Sequence, residues 1–217
     1  MTRARFQQDR SHATRHAIVE AAEMLWRDQG FDKVSVEDVC KAAEVAKGTF
    51  YFYFPRKEYL LVMTVFGRWM PRASEVEQLC ASDLGTLEVL LELMVGIAER
   101  TRKLDKAMVL RAVEESFQHY REIGKLEGGE RYMRHIYNPV FARGVERGEI
   151  DTSWDVNILA RTLAWSTIQE VFMWADGQTS DRMMLPNLRQ RAELVAAGGR
   201  QRRTESPVSR LRTRRRS

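Results

Sequence analysis

Residues 30–57, GFDKVSVEDVCKAAEVAKGTFYFYFPRK, decide how the rest of the chain is read. Ser35 and Asp38 stand in capping-box spacing. In that arrangement the serine oxygen accepts from an amide three residues on, and the acid reaches back to the serine N–H. Val34 and Val39 occupy the two positions of a hydrophobic staple, and Glu37 and Asp38 suit the positive end of a helix dipole. A short helix therefore starts after Ser35 and buries Val36, Val39, Cys40 and Ala43. It must stop near Glu44, because a second helical run, Ala46 to Phe52, follows at once. Two short helices joined by so tight a connection form the helix-turn-helix pattern, in which the first braces the second in the major groove of DNA.

The second run sets ring-bearing side chains beside a lysine and a threonine. Val45 and Phe50 suit its inner side, which leaves Lys47, Gly48, Thr49, Tyr51, Phe52 and Tyr53 for groove, backbone and solvent. Exposed aromatics are costly to leave facing water without a partner. Tyrosine and threonine hydroxyls are good phosphate donors, and glycine permits close backbone approach. Upstream, Ile18, Ala21, Ala22, Leu25 and Trp26 recur at helical steps from Ser11 to Gln29, with Gly30 as a natural stop. Residues 1–10 carry Arg3, Arg5 and Arg10 and read as a flexible basic arm.

The stretch GFDKVSVEDVCKAAEVAKGTFYFYFPRKEYLL resembles the N-terminal DNA-binding domain of TetR-type (tetracycline-repressor-like) regulators, over Thr14 to Met63. That family shows a Gly-aromatic pair, a Thr/Ser-Val pair opening the second helix, a Gly-Thr-hydrophobic-Tyr recognition helix, then Lys-Glu and an apolar run. The resemblance implies that Lys47 and Phe52 read bases and that Thr49 contacts base or phosphate. It places Tyr51, Tyr53 and Lys57 at phosphate-contacting positions, and Ser35 where the second helix meets the backbone. Phe52 could instead pack in the core beside Phe50 and Phe54, and Lys57 could be a solvated charge. Two residues depart from the family pattern. Glu44 stands where glycine is usual in the turn, and Ala46 where serine or threonine often caps the recognition helix. Each departure costs about 1 kcal/mol, the first if a positive φ is required there.

Downstream, Pro55 suits the first turn of a helix running to Met70. In the family this fourth helix joins head to body and is the expected transmission lever. Residues 71–83 show no clear period. Further helices are expected at 84–102, 106–123, 130–147 (kinked at Pro139), 155–176 and 182–197, and no stretch alternates like a strand. The expected architecture is all-α: a flexible arm at 1–10, a helix-turn-helix domain at 11–54, a helical regulatory and dimerisation domain at 55–197, and a disordered Arg-rich tail at 198–217.

Two late apolar-faced helices fit a four-helix dimer interface, and a dimer matches a palindromic operator in double-stranded DNA. Phe66, Met94, Phe117, Tyr120, Trp165 and Met173 are candidates to line a pocket for a small apolar or amphipathic effector, although at helical spacing each also suits plain core.

The net charge of +5 misleads as an average: the last eighteen residues hold eight arginines and one glutamate, so the rest of the chain carries −2. Cys40 and Cys80 suggest neither a disulfide framework nor a zinc site, and His12 and His16 share a helix face without a third ligand. No phosphate loop, zinc motif or nucleophile elbow points to an enzyme, and no cofactor or metal is expected. The first residues hold no apolar signal segment, and charges interrupt the apolar windows, so a cytoplasmic protein away from the membrane is expected. These features describe a dimeric DNA-binding transcriptional regulator, a repressor released by a small ligand. The alternative is a ligand-independent DNA-binding or interaction protein with a filled helical core.

Overall fold

The computed structural model describes residues 3–118 and 129–200, with side chains described from Ser11 to Gln118 and from Ile136 to Arg200. Every regular element among the described residues is a helix. The first, α1 (Arg3–Gln29), begins within the stretch expected to be a flexible arm. Nothing in RARFQQDR breaks a helix: it lacks glycine and proline and is rich in good helix formers. Ile18, Ala21, Ala22 and Trp26 give α1 its buried stripe, and Gly30, at φ 83, closes it with a bond from its N–H to the Trp26 carbonyl.

Next come α2 (Val36–Ala42), α3 (Lys47–Tyr53) and α4 (Lys57–Trp69). Pro55 does not open α4 as its first turn; it lies in the bend before the Arg56 cap. The remaining helices are α5 (Ala73–Ala81), α6 (Thr86–Thr101), α7 (Lys106–Gln118), α8 (Gly129–Glu146), α9 (Val156–Ala175) and α10 (Asp181–Arg200). Pro139 lies inside a continuous α8. The helix α10 runs through Gly198 and Gly199, so the start of the expected tail is helical; the rest of the tail lies outside the described residues.

The chain divides into two compact units, and the division does not follow the boundary expected at Pro55. The first unit holds α1 to α4 and α7; the second holds α5, α6 up to Glu99, and α8 to α10. The reason lies in α4. Tyr59, Leu60, Leu61, Val62, Thr64, Val65 and Trp69 are all buried, too many for one face, so α4 needs neighbours on more than one side. It packs on α1 and on α7. Arg68 on α4 forks onto the Glu23 carboxylate of α1, with its Nε 2.6 Å from Oε1. Phe50, Phe54, Trp26 and Trp69 fill this unit's core.

In the second unit α8 packs on α5 and α9, and α9 on α10. Its core is built on Leu90, Leu93, Phe141, Leu163, Val171 and Trp174. Polar ties fix the register. The Arg143 guanidinium donates to the Ser82 and Leu84 carbonyls at 2.6 and 2.8 Å. Glu170, buried on α9, accepts from Asn187 at 2.8 Å and Arg191 at 2.7 Å on α10. Gly144 marks a close approach: a Cβ there would sit 2.5 Å from the Thr86 hydroxyl oxygen and 2.8 Å from Ile150.

Candidate nucleic-acid interface

The start of α2 forms as its sequence dictates. Ser35 Oγ accepts from the Asp38 N–H at 3.1 Å, and the Ser35 N–H donates to Asp38 Oδ2 at 2.9 Å. The Ser35 hydroxyl also donates to Asp38 Oδ2, at 2.6 Å. The Ser35 side chain and then its backbone N–H hold the Asp38 carboxyl below its usual range. At the other end Glu44 takes φ 54, the left-handed conformation that the family meets with glycine. The Glu44 N–H points to the Lys41 carbonyl at 3.4 Å, and the Val45 N–H bonds the Cys40 carbonyl at 2.9 Å. This is a Schellman closure, and a glutamate makes it. Ala46 caps α3 with no side-chain bond, as its chemistry requires.

On α3, Phe50 is fully buried and Phe54 just beyond it likewise, whereas Phe52 is 80% exposed and Tyr51 50% exposed. Phe52 is thus not a core residue. It stands on the outer face with Tyr51, Lys47 and Gly48, and a Cβ at Gly48 would meet nothing within 4 Å. Thr49 is half-buried. This exposed face is the candidate reading surface of the head.

Two residues expected at phosphate positions make bonds inside the fold. The Tyr53 hydroxyl donates to Ser11 Oγ at 3.1 Å, tying α3 to α1 across 42 residues. The Lys57 ammonium donates to the Phe31 and Val34 carbonyls at 3.0 and 2.9 Å and lies 4.2 Å from the centre of the Phe31 ring. Lys57 therefore braces the turn between α1 and α2, with two of its three donors taken. Sequence reasoning also missed a partner of Lys47: its ammonium pairs with the Glu37 carboxylate in the first turn of α2. That bond holds the Glu37 carboxyl below its usual range and raises the lysine above its own.

The expected pocket residues divide between the two units. Phe66 is half-buried against Trp69, their ring centres 5.3 Å apart, and Phe117 is 51% exposed; both belong to the first unit. Met94, fully buried, and Trp165 and Met173, half-buried, belong to the second. Tyr120 lies outside the described residues. None of the six lines the open cavity of about 1060 Å³ that the first unit holds between the end of α1, α4 and the α6–α7 corner. Its wall is rich in cations, among them Arg27, Lys33, Arg68, Lys103 and Arg111, against Glu23, Asp32 and Asp105. Trp26 and Thr64 also line it, and the buried indole N–H of one and hydroxyl of the other have no partner among the described residues.

Residues 18–63 match the family described as "Bacterial regulatory proteins, tetR family", over the same helices that build this exposed face. In this head the chain is of the TetR type. It is a DNA-binding transcriptional regulator that acts as a dimer. Along most of its length the chain is similar to the fatty acid metabolism regulator protein of Bacillus subtilis, at 26% identity over 78% of this chain and 88% of that protein. The likeness to EthR of Mycobacterium tuberculosis, at 39% identity, covers 31% of each chain. Among solved structures it superimposes on Thermus thermophilus FadR in complex with lauroyl-CoA, at 25% identity and a TM-score of 0.68, over 89% of this chain and 98% of that one. No helix among the described residues is long and apolar enough to cross a membrane.

Proposed function

We propose that this regulator is a repressor whose effector is a long-chain acyl thioester of coenzyme A, and that binding of this ligand releases the operator. The observation that carries the reading is the near full-length likeness to the Thermus thermophilus repressor crystallised with lauroyl-CoA. The cationic cavity of the first unit supports it. A CoA thioester carries phosphate charges that Arg27, Lys33 and Lys103 can meet, and the unpartnered Trp26 and Thr64 groups offer further donors.

In this reading Lys47 and Phe52 contact bases, Thr49 and Tyr51 contact base or phosphate, and Gly48 allows the backbone to approach. Ser35 sets the start of α2 at the DNA backbone. Tyr53 and Lys57 hold the head in shape. The lever is the packed pair α4 and α7 rather than α4 alone, because α7 belongs to the head's own unit. A ligand can release DNA only by preferring the conformation that does not bind it. The protein works in the cytoplasm and catalyses no reaction. The second reading, a ligand-independent binder, is favoured by Met94, a pocket candidate that is fully buried in packed core.

Thermal shift with lauroyl-CoA, free coenzyme A and lauric acid, followed by operator release, separates the two. A ligand at a hundred times its Kd stabilises the native state by about 2.7 kcal/mol, a rise of several degrees. The proposal expects this for lauroyl-CoA, together with loss of the DNA complex. Lauroyl-CoA that neither stabilises the protein nor releases DNA overturns it.

A further inference from the structure

The cation assigned to base reading is already engaged when the head is free. Lys47 is the only cationic side chain on α3, KGTFYFY, and Glu37 of α2 holds its ammonium in an ion pair. Both side chains remain 56% exposed, so the pair sits on the surface that approaches DNA and not inside the fold. The second acid of that turn, Asp38, is taken up by the cap of α2 and cannot substitute for Glu37. Glu44 lies exposed in the left-handed turn between the two helices. The one lysine at the start of the recognition helix is therefore charge-neutralised by Glu37, with a further acid in the adjoining turn.

An unpaired lysine is a poor discriminator. It is a compact point charge that binds any phosphate, and such contacts supply most non-specific affinity for DNA. A lysine held by a carboxylate behaves differently. To leave the pair it must be offered acceptors as good as those it gives up, and the O6 and N7 edge of guanine in the major groove offers two. A phosphate also offers acceptor oxygens, but its negative charge is repelled by the Glu37 carboxylate beside the lysine, a penalty that the neutral guanine edge does not carry. Specificity gained by penalising the wrong partner is a recognised device at interfaces.

We infer that Glu37 is a specificity-determining residue of the head: by holding Lys47 it suppresses binding to DNA that presents phosphates alone, and it yields the lysine to a base edge at the operator. The inference rests on Lys47 being the base-reading cation.

The test uses the full chain and two duplexes of equal length, one selected by the wild-type protein from a random pool and one with that sequence scrambled. Glu37→Gln keeps shape and hydrogen bonding and removes the charge. Affinities are measured across a potassium chloride series. For Glu37→Gln the scrambled duplex binds about three- to tenfold tighter, and its salt slope steepens by about 0.9, the value for one added phosphate contact. The selected duplex changes less, so the ratio between the two falls. On a Lys47→Ala background the same substitution loses this effect. A ratio that stays constant in Glu37→Gln overturns the inference, whether both affinities stay put or move together. So does an equal gain on the Lys47→Ala background, which makes Glu37 a bulk charge and nothing more. Failure of the underlying reading is seen separately, as a Lys47→Ala protein that binds the selected duplex as well as wild type. Urea unfolding measured in parallel shows Glu37→Gln less stable by no more than the about 0.3–1 kcal/mol that a first-turn acid gains from the helix dipole, since both side chains are exposed; a larger loss assigns the pair to the fold and overturns the inference.

Discussion

Phe52→Ala separates the reading surface from the core more cleanly than any other substitution in the head. A phenylalanine side chain presents about 200 Å² of surface. Phe52 is 80% exposed, so about 160 Å² faces water in the free protein and about 40 Å² is already covered. At about 25 cal/mol per Å², the covered part contributes about 1 kcal/mol to folding, some of which the better helix propensity of alanine returns. The exposed part is worth up to about 4 kcal/mol on full burial against DNA, and about 2 kcal/mol if half of it is covered. Phe52→Ala should therefore weaken operator binding by roughly thirtyfold while moving the urea midpoint little. Phe50, only two residues distant on the same helix, gives the contrast. It is fully buried, and Phe50→Ala should cost about 3–5 kcal/mol of stability. Binding titrations and urea curves on the two variants check this. A Phe52→Ala protein that binds the operator within twofold of wild type, or that unfolds as readily as Phe50→Ala, refutes the reasoning.

Lys57→Met should lower stability by about 2–3 kcal/mol in urea unfolding, because the Phe31 and Val34 carbonyls lose a charged donor; a loss of DNA affinity at unchanged stability contradicts the bracing role. Glu44→Gly should raise stability by about 0.5 kcal/mol, since relief of the left-handed conformation, about 1–2 kcal/mol, outweighs the added freedom of the unfolded chain. A lowered midpoint refutes that. Burial pushes the Glu149 carboxyl up, but the Thr86 backbone N–H and the Arg147 guanidinium outweigh it and hold the pKa at about 2. A depressed carboxyl stabilises the fold above its unfolded value of 4.5 and loses that contribution as pH falls toward 2. Glu149→Gln should thus be less stable than wild type at pH 7, with the gap closing between about 4.5 and about 2; a gap that persists at the acid end contradicts it.

What could be read in advance follows the range of the interactions. The cap of α2, its staple and the turn at Glu44 are made among residues 34 to 45, so their geometry is written in neighbouring letters. The roles of Tyr53 and Lys57 depend on Ser11 and on two backbone carbonyls of a distant turn, and no local pattern encodes those partners. The pair of Lys47 with Glu37 left a faint signal, an acid in the first turn of one helix and a cation opening the next. The helix α5 was illegible because among its nine residues only Val76 is buried, which leaves almost no apolar period. An amphipathic α7 is plain from its spacing, but periodicity carries no address, and its return to α4 had to be seen. The pocket candidates divide between the two units for the same reason: size and apolarity mark a residue for burial without saying beside what.

The central claim, that paired recognition helices of a dimer read a palindromic operator, is tested most directly by selecting bound duplexes from a random pool and sequencing them. The account predicts enrichment of a two-fold symmetric site whose half-sites repeat at helical-turn spacing, about 10 base pairs or a multiple of it. Recovery of no enriched sequence, or of a single half-site without its symmetric mate, would contradict it.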